Sequence, residues 1–407
     1  MTLIECFTES HIDNIATCLR LRPDKMILVG DGADMAVPAR RYRKLLEKRG
    51  QQTEISLCDV RGKDFPEICA FMHALVKEQQ ACVIDLTGGQ EPVIMAVGAV
   101  LAALEPEARE RIRVEKYDYE TDTVRDCVND NRKIPYAPVR LTVEELVALH
   151  GGVLHPQTQE LPADCTPGDI AGIWRMASQK PKEWNQAIAY LNEFESRADS
   201  KTQVYLPLEQ LRGSITNFNQ KETVVRELLE ELHQCCAVHD QSSWHSLEYT
   251  YTTPLMRYCT QKAGNVLEMK TLLEGRGVLE NGAPFFQDCR MGVSIDWDGI
   301  IHAPEEHRAE TRNEIDVVLM HGLTPLFISC KNGGIGEEEL YKLHTVAERF
   351  GGVRAKKMLI ATELQQKNPA SNRAMVQRAW DMDIFMVTDA GDLSREVWKQ
   401  IFRDAMQ

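Results

Sequence analysis

Short apolar runs alternate with helix-like stretches along residues 1–150. The runs are typical of buried strands and lie at Thr2–Phe7, Met26–Gly30, Ile55–Val60, Cys82–Leu86 and Ile112–Tyr119. Segments with helical spacing of apolar positions separate them, at Ile12–Leu21, Pro38–Lys48, Phe65–Glu78 and Pro92–Leu104. Regular alternation of strand and helix predicts a mostly parallel sheet covered by helices on both faces. In such sheets, ligands bind at the carboxyl ends of the strands.

This alternation ends after residue 150. His150-Gly151-Gly152 and Thr166-Pro167-Gly168 break the pattern and indicate a domain boundary. Residues 151–250 then predict helices at Glu183–Ser196 and Lys221–His233, which we interpret as a small helical or winged-helix connector.

Residues 251–407 mix both patterns and predict an α+β domain. The predicted elements are, in order, a long helix at Leu255–Leu273, strands at Gly292–Trp297, Glu314–Met320 and Leu326–Lys331, a helix at Glu337–Phe350, a strand at Lys357–Ala361, a helix at Ala370–Trp380, a strand at Ile384–Val387 and a helix at Leu393–Ala405. The fold class expected for the whole chain is therefore α/β, with domains at 1–150, 151–250 and 251–407.

Composition narrows the possible functions. Hydrophobic residues make up 43% of the 407 positions and charged residues 27%, as in ordinary globular proteins. We find no apolar run of about 18 residues, so no membrane span is expected. The start lacks a basic segment, and the 12 cysteines are scattered, which predicts a cytoplasmic protein with reduced thiols. The net charge of −14 argues against broad, nonspecific binding to duplex nucleic acid.

The stretch Thr311–Gly334 carries the clearest chemistry. It predicts two apolar strands joined by a tight turn, with Asp316 opposite Ser329 or Lys331 on the neighbouring strand. A carboxylate beside a lysine on one sheet face is costly to bury unless it serves a purpose. Together they can hold a metal ion and stabilise a developing anion, so the hairpin predicts a metal-dependent phosphodiesterase.

This hairpin resembles that of the PD-(D/E)XK nucleases, with Ser329 at a position where that pattern has an acid. The resemblance implies that Asp316 and Glu268 bind Mn²⁺ or Mg²⁺, with Glu268 as the upstream acid on a helix. Lys331 is expected to orient water and stabilise the transition state, and the Ser329 hydroxyl to hold a metal-bound water. Glu314 shares the strand face of Asp316. Glu338 or Glu339 is an alternative source of the missing carboxylate; acids at a helix start are also favoured by the helix dipole.

A second candidate site follows the predicted strand Cys82–Leu86. Thr87-Gly88-Gly89-Gln90-Glu91-Pro92 opens a helix there, and the two glycines allow a ligand close to the backbone N–H groups, which favours a phosphate. The loop after the first strand carries Thr8, Glu9, Ser10 and His11 at the same sheet edge. The alternatives are ordinary turn glycines and a helix cap at Ser10. Neither a P-loop nor a dinucleotide-binding fingerprint is present.

Thr87-Gly88-Gly89 resembles the start of the T-G-G-T-K sequence of CARF domains, the Rossmann-like sensors of cyclic oligoadenylates; Gln90-Glu91 replaces the usual Thr-Lys. Taken with the hairpin, the whole chain resembles the CRISPR-associated nucleases that join a CARF domain to a PD-(D/E)XK domain. The resemblance implies a homodimer that binds cyclic tetra-adenylate through the two loops and then cleaves or nicks DNA or RNA in type III antiviral defence.

Two other functions are compatible with the sequence. One is a ligand-sensing transcriptional regulator that binds DNA through the middle segment. The other is a sensor subunit whose nuclease site has decayed through the Ser329 departure.

Overall fold

The structure, a computed structural model, describes residues 1–118, 123–128, 132–155, 165–301, 312–362 and 369–407. The chain forms two compact units. The first comprises Met1–Val153, Ile295–Thr311 and Arg349–Val353, and the second comprises Leu154–Ser294, Arg312–Glu348 and Arg354–Gln407. The predicted division into three domains stays a prediction.

A large sheet with flanking helices forms the first unit. Its strands are β1 (Thr2–Cys6), β2 (Lys25–Gly30), β3 (Glu54–Asp59), β4 (Cys82–Asp85), β5 (Ile112–Asp118), β6 (Thr123–Asp126) and β7 (Lys133–Ile134). Its helices are α1 (Asp13–Leu21), α2 (Gly32–Lys48), α3 (Phe65–Glu78), α4 (Glu91–Ala103), α5 (Pro106–Arg109) and α6 (Val143–Leu149).

In the described residues this sheet has the strand order β3-β2-β1-β4-β5-β6-β7. The five strands β1 to β5 are parallel where they pair, whereas β6 and β7 add an antiparallel edge. The chain order reverses between β1 and β4, so the carboxyl ends of these strands flank a topological switch point. Ligands of open α/β sheets bind in the crevice at such a point.

Continuous apolar runs explain the central strands. Every residue of β4, and all of β1 and β2 after the first, is buried, as expected for parallel strands covered on both faces. Ile4, Ile27, Ile84 and Val114 lie in one hydrophobic core with residues of α3 and α4.

The second unit contains the remaining elements. Its helices are α7 (Ala171–Gln179), α8 (Pro181–Glu195), α9 (Leu208–Leu211), α10 (Phe218–Gln234), α11 (Pro254–Gln261), α12 (Asn265–Arg276), α13 (Glu337–Gly351), α14 (Pro369–Asp381) and α15 (Arg395–Asp404). The strands are β8 (Val153–Leu154), β9 (Gln203–Pro207), β10 (Val238–Asp240), β11 (Ser246–Tyr251), β12 (Leu279–Glu280), β13 (Ala283–Pro284), β14 (Asp288–Asp296), β15 (Arg312–His321), β16 (Thr324–Lys331), β17 (Lys356–Ala361) and β18 (Ile384–Val387). The last turn of α13 and part of β8 and β14 belong to the first unit.

Among the described residues, the main sheet of this unit has the order β18-β17-β16-β15-β14-β8, and β10-β11-β9 form a smaller sheet. β15 and β16 are an antiparallel hairpin in which Val317 pairs with Ile328 and Leu319 with Leu326. β17 and β18 extend the sheet in parallel. The predicted hairpin is therefore present, with buried apolar strands as expected.

The expected long helix at Leu255–Leu273 is wrong, because the chain forms α11 and α12 with a break at residues 262–264. The indole Nε1–H of Trp184 donates to the Ala263 carbonyl (3.0 Å), and the Asn265 amide donates to the Tyr258 carbonyl (2.8 Å). These side chains take carbonyls that a continuous helix would have satisfied, so tertiary hydrogen bonds override the helical pattern.

In the part of the chain that the structure describes, no helix combines the length and apolar character needed to cross a bilayer.

Candidate functional sites

The carboxylate of Asp316, on β15, is held by the neighbouring strand β16. The Cys330 N–H donates to Asp316 Oδ2 (2.6 Å), and the Ser329 hydroxyl donates to the same oxygen (3.3 Å). Both bonds use Oδ2, so Oδ1 is the oxygen available to a ligand. Burial raises the pKa of Asp316, and the Cys330 N–H and the charge of Lys331 oppose this increase. The carboxylate thus sits where an added cation would stabilise it.

Lys331 ends β16 and forms an ion pair with Glu339 in the first turn of α13, with 2.9 Å between Nζ and Oε2. Burial on its own lowers the pKa of Lys331, but Glu339 and Asp316 outweigh this effect and raise the pKa. The side chain is therefore cationic at neutral pH.

Glu268 lies in the first turn of α12, close enough to Asp316 and Glu314 for mutual repulsion. Burial, and then the carboxylates of Asp316 and Glu314, raise the pKa of Glu268 to about 8. The Tyr258 hydroxyl lies 3.4 Å from Glu268 Oε2 and donates to it. The predicted acids Glu268, Glu314 and Asp316 thus share one electrostatic environment.

A small cavity lies between the hairpin and α13. Its lining residues are Glu314, Ile315, Asp316, Ser329, Glu339, Lys342 and Leu343. Lys342 was not predicted; its charge lowers the pKa of Asp316, against the effect of burial. It stands three residues after Glu339, so helical spacing from that acid would have identified it. A larger cavity, of about 600 Å³, lies beside Gln51, far along the chain from these groups.

The donor set fits a hard divalent cation. Within the described residues, no group of three or more His, Cys, Asp or Glu side chains is arranged to hold a metal ion on its own. Mg²⁺, however, is commonly bound by one or two carboxylates, with water and substrate phosphate completing its shell. Asp316 and Glu268 supply two carboxylates, and burial raises the pKa of both, Glu268 also through repulsion by Asp316 and Glu314.

At the switch point of the first sheet, the side chain of Asn14 holds the loop after β1 by hydrogen bonds. The Thr8 N–H donates to Asn14 Oδ1 (2.9 Å), and Asn14 Nδ2 donates to the Thr8 carbonyl (2.7 Å) and the Tyr42 hydroxyl (3.0 Å). Glu9 is exposed, and Ser10 and His11 are half-buried. The next helix has Ile12 at its N-cap without a side-chain hydrogen bond, so Ser10 does not cap it.

The loop after β4 is held by Asp85. The backbone N–H of Thr87 donates to Asp85 Oδ1 (2.7 Å), its hydroxyl donates to the same oxygen, and Thr87 Oγ1 accepts from the Tyr117 N–H (2.9 Å). A Cβ on Gly88 would lie 2.3 Å from Thr8 Cγ2, and Gly89 has a φ of +117°. The two glycines thus permit close approach of the two predicted ligand loops, with Gln90 and Glu91 exposed beyond them.

Comparison with known proteins adds to this geometry. Residues 262–403 match the family described as Card1-like, endonuclease domain. The search of curated proteins gave no match to this sequence.

Solved structures with the same fold cover the whole chain. A crystal structure of the protein VC1899 from Vibrio cholerae matches with a TM-score of 0.72 and 15% identity, over 100% of this chain and 97% of that one. Can2 from Sulfobacillus thermosulfidooxidans, solved in complex with cyclic tetra-adenylate, matches with a TM-score of 0.66 and 15% identity, over 100% of both chains.

A third structure is described as a type III CRISPR defence DNA nuclease activated by cyclic oligoadenylate. It matches with a TM-score of 0.50 and 16% identity, over 91% of this chain and 46% of that one. The predicted resemblance to CARF nucleases is confirmed.

The expected fold class of a CARF nuclease, α/β with a Rossmann-like domain and a nuclease domain, is confirmed as well. The structure brings Asp316, Ser329, Glu268 and Glu314 into one neighbourhood and adds Glu339, which the sequence offered as one of two alternatives. It also places Thr8 against Gly88. The catalytic, metal-binding and ligand-binding roles of all these residues stay predictions.

Proposed function

We propose that this chain is a metal-dependent nuclease that a cyclic oligoadenylate activates, with a role in type III CRISPR defence. The observation that carries the proposal is the hairpin site: Asp316 held by the Cys330 N–H, beside a cationic Lys331, in the segment that matches the Card1-like endonuclease domain. The proposed substrate is DNA or RNA, and the proposed activator is cyclic tetra-adenylate, the ligand named for the similar Can2 structure.

The proposed reaction is hydrolysis of a phosphodiester. A water oxygen bonds to phosphorus, the ester P–O bond breaks, and the leaving oxygen takes a proton. Asp316 Oδ1 and Glu268 would hold Mn²⁺ or Mg²⁺, which when bound acts as a Lewis acid on the phosphate and lowers the pKa of bound water.

Lys331 supplies positive charge beside the phosphate, where negative charge develops in the transition state. Its ion pair with Glu339 fixes the ammonium group at the end of β16. The Ser329 hydroxyl, bonded to Asp316, limits rotation of that carboxylate and so positions its free oxygen.

The activator would bind at the switch point, between the loop of Thr8, Glu9, Ser10 and His11 and the loop of Thr87, Gly88, Gly89, Gln90 and Glu91. Two observations support this place. The carboxyl ends of β1 and β4 meet there, and the glycines let the two loops approach closely.

One assay tests the nuclease proposal. Purified parent, Lys331→Ala and the control Lys399→Ala are incubated with labelled single-stranded and duplex DNA and RNA, with and without Mn²⁺ and cyclic tetra-adenylate. Lys399 is a surface lysine paired with Glu396, so its loss should not affect cleavage. We expect cleavage by the parent and the control when both additives are present, and at least a 100-fold lower rate for Lys331→Ala, on the scale of a lost transition-state contact of roughly 3 kcal/mol.

Calorimetry with cyclic tetra-adenylate should give the same affinity for parent and Lys331→Ala. Equal cleavage by the two proteins would remove the nuclease assignment at this site. Specific duplex binding without cleavage would favour the transcriptional regulator instead.

We further propose a homodimer that pairs through α4. This surface helix carries no charged residue after Glu91, and Met95, Gly98, Ala99 and Ala102 are exposed on one face. Such spacing, with positions three and four apart, is typical of a face that packs against another element.

Light scattering tests the dimer. A Cβ on Gly98 would meet nothing within 4 Å, so Gly98→Arg should not disturb the protomer. Gly213 is equally open and makes Gly213→Arg a matched control. We expect a dimer for the parent and the control and a monomer for Gly98→Arg. A dimeric Gly98→Arg protein would place the interface elsewhere.

A further inference from the structure

One helix of the middle segment packs against both elements that carry the proposed nuclease residues. α8 contributes Trp184, Ile188 and Leu191 to a hydrophobic core that also holds Leu267 of α12 and Ile328 of β16. α12 carries the proposed metal-binding acid, and β16 ends at the proposed catalytic lysine. The family match begins at residue 262, so α8 lies outside the matched segment. The proposed nuclease site is therefore supported by a helix from another part of the chain.

The first polar contact of α8 is with the segment that follows β16. Asn185 Nδ2 donates to the Asn332 carbonyl (2.6 Å), and Asn332 Nδ2 donates to Asn185 Oδ1 (3.0 Å). Asn332 directly follows Lys331, whose carbonyl accepts from the Thr362 N–H (3.2 Å). The chain is thus held by hydrogen bonds at Lys331 and again one residue later.

The pair of asparagines lies at the start of the segment that joins Lys331 to its partner. Residues 332–336 connect β16 with α13, and Glu339 in the first turn of α13 forms the ion pair with Lys331 (2.9 Å). A Cβ on Gly333 would lie 3.5 Å from Asn185 Nδ2, so the Asn185 amide also packs along this segment. Loss of the Asn185 side chain would remove two hydrogen bonds that fix the path from the lysine to its acid.

A second set of polar contacts on α8 holds the break between α11 and α12. The buried indole of Trp184 donates through Nε1–H to the Ala263 carbonyl (3.0 Å). Asn192, about two turns further along α8, donates to the Gln261 carbonyl (3.0 Å). α12 begins directly after this break and has Glu268 in its first turn. The contacts of α8 therefore fix the point from which the helix of Glu268 starts.

We propose that Trp184 and Asn185 are positioning residues of the nuclease, and that α8 sets the spacing between its acid and its lysine. Asn185 acts through Lys331, and Trp184 acts through Glu268. Displacement of a group in an active site by about 1 Å can cost about 100-fold in rate. The roles of Lys331 and Glu268 rest on the proposed function, whereas the hydrogen bonds of α8 do not.

The first experiment compares kcat and KM for the parent, Asn185→Ala and Gln186→Ala, with Mn²⁺ and cyclic tetra-adenylate at saturation. Gln186 is a matched control, an exposed neighbour on α8 whose amide donates to the Tyr190 hydroxyl (2.8 Å). We expect Asn185→Ala to lower kcat about 10-fold to 100-fold without changing KM, and Gln186→Ala to match the parent. An unchanged kcat, or a rise in KM alone, would overturn the positioning role of Asn185.

The second experiment asks whether Asn185 acts through Lys331. Asn185→Ala is made in the parent and in Lys331→Ala, and the residual cleavage is measured in both. We expect Asn185→Ala to have no further effect once the lysine is absent, because coupled residues are not additive. An equal loss in both backgrounds would indicate a general loss of folded protein and would overturn the proposal. Asn332→Ala removes one of the two hydrogen bonds, so its kcat should lie between those of the parent and Asn185→Ala.

The third experiment tests Trp184 by calorimetry with Mn²⁺, without any nucleic acid. Trp184→Phe removes the Nε1–H donor and keeps an aromatic ring in the core. Trp244→Phe is the control, because the Trp244 side chain is 89% exposed. Contacts that support metal ligands commonly contribute 10-fold to 100-fold in affinity, so we expect Trp184→Phe to bind Mn²⁺ about 10-fold more weakly than the parent and the control. Equal affinity of all three proteins would overturn the role of Trp184.

Failure of the proposed function would give a different pattern from failure of the positioning role. Cleavage by Lys331→Ala at the rate of the parent would refute the nuclease assignment at the hairpin. An inactive Lys331→Ala beside a fully active Asn185→Ala would keep that assignment and refute the positioning role of Asn185.

Discussion

The contact between Gly88 and Thr8 yields a quantitative prediction for Gly88→Ala. The new Cβ would lie 2.3 Å from Thr8 Cγ2 and 2.8 Å from Thr8 Cβ. Carbon atoms pack at about 3.5 Å or more, so the contacts are short by roughly 1.2 and 0.7 Å. Rotation of the Thr8 side chain can move Cγ2 away, but it cannot move Cβ.

Moving the Thr8 backbone would break hydrogen bonds, because Asn14 bonds to both its N–H and its carbonyl, at 2.9 and 2.7 Å. Overpacking of this kind costs about 1–3 kcal/mol. For a unit of this size, that lowers the melting temperature by roughly 2–12 °C. Thermal unfolding followed by circular dichroism measures the change, and calorimetry with cyclic tetra-adenylate measures its effect on the loops.

Two further proteins make this prediction specific. Gly213→Ala adds a Cβ in open space and should melt with the parent. Thr8→Gly removes both clashing atoms, so Gly88→Ala combined with Thr8→Gly should be more stable than the sum of the two single effects, by about 1 kcal/mol or more. The loops do not depend on this contact if Gly88→Ala and Gly213→Ala melt at the same temperature and the effects of Gly88→Ala and Thr8→Gly are additive.

Three other predictions concern buried polar groups. Ser329→Asp adds a carboxylate beside Asp316, so we expect it to melt below the parent when no metal is present. Adding Mn²⁺ should raise the melting temperature of Ser329→Asp more than that of the parent. An equal rise in melting temperature for both proteins would contradict the metal site. Burial raises the pKa of Glu5 well above its usual range, so the stability linked to this group is present at acidic pH and is lost as pH rises towards the pKa of the folded protein. Glu5→Gln should therefore gain stability over the parent between pH 5 and pH 8, and a constant difference in urea unfolding would refute this. The Tyr251 hydroxyl donates to buried Glu195 (2.7 Å), so Tyr251→Phe should cost about 1–3 kcal/mol in urea unfolding, whereas Tyr205→Phe, at an exposed site, should cost nothing measurable.

The sequence predicted the central strands to within about a residue, because each is a continuous apolar run between turn residues. Cys82–Leu86, for example, was observed as Cys82–Asp85. The hairpin was predictable for the same reason; its alternation left Ser329 and Lys331 as alternatives opposite Asp316, and the structure has the Ser329 hydroxyl bonded to that carboxylate. The antiparallel edge strands β6 and β7 were not predicted, since they are four and two residues long and carry little apolar pattern.

The ion pair between Lys331 and Glu339 could not be predicted from the sequence. Glu337, Glu338 and Glu339 are three successive acids at a helix start, and each satisfies the helix dipole equally well. Which of them meets Lys331 depends on the path of residues 332–336 and on the rotation of α13.

The helix α13 also limits how the chain can vary in length. Glu339 pairs with Lys331, and His344 Nδ1 lies 3.1 Å from Lys357 Nζ. Glu339 and His344 are five positions apart, which in a helix is about 7.5 Å along the axis. One inserted residue between them would turn one end by about 100° relative to the other. Either Glu339 would then leave Lys331, or His344 would leave Lys357. An insertion of four residues nearly restores the angle but adds about 6 Å. Relatives that keep both contacts should therefore keep this spacing, even where every residue between them differs.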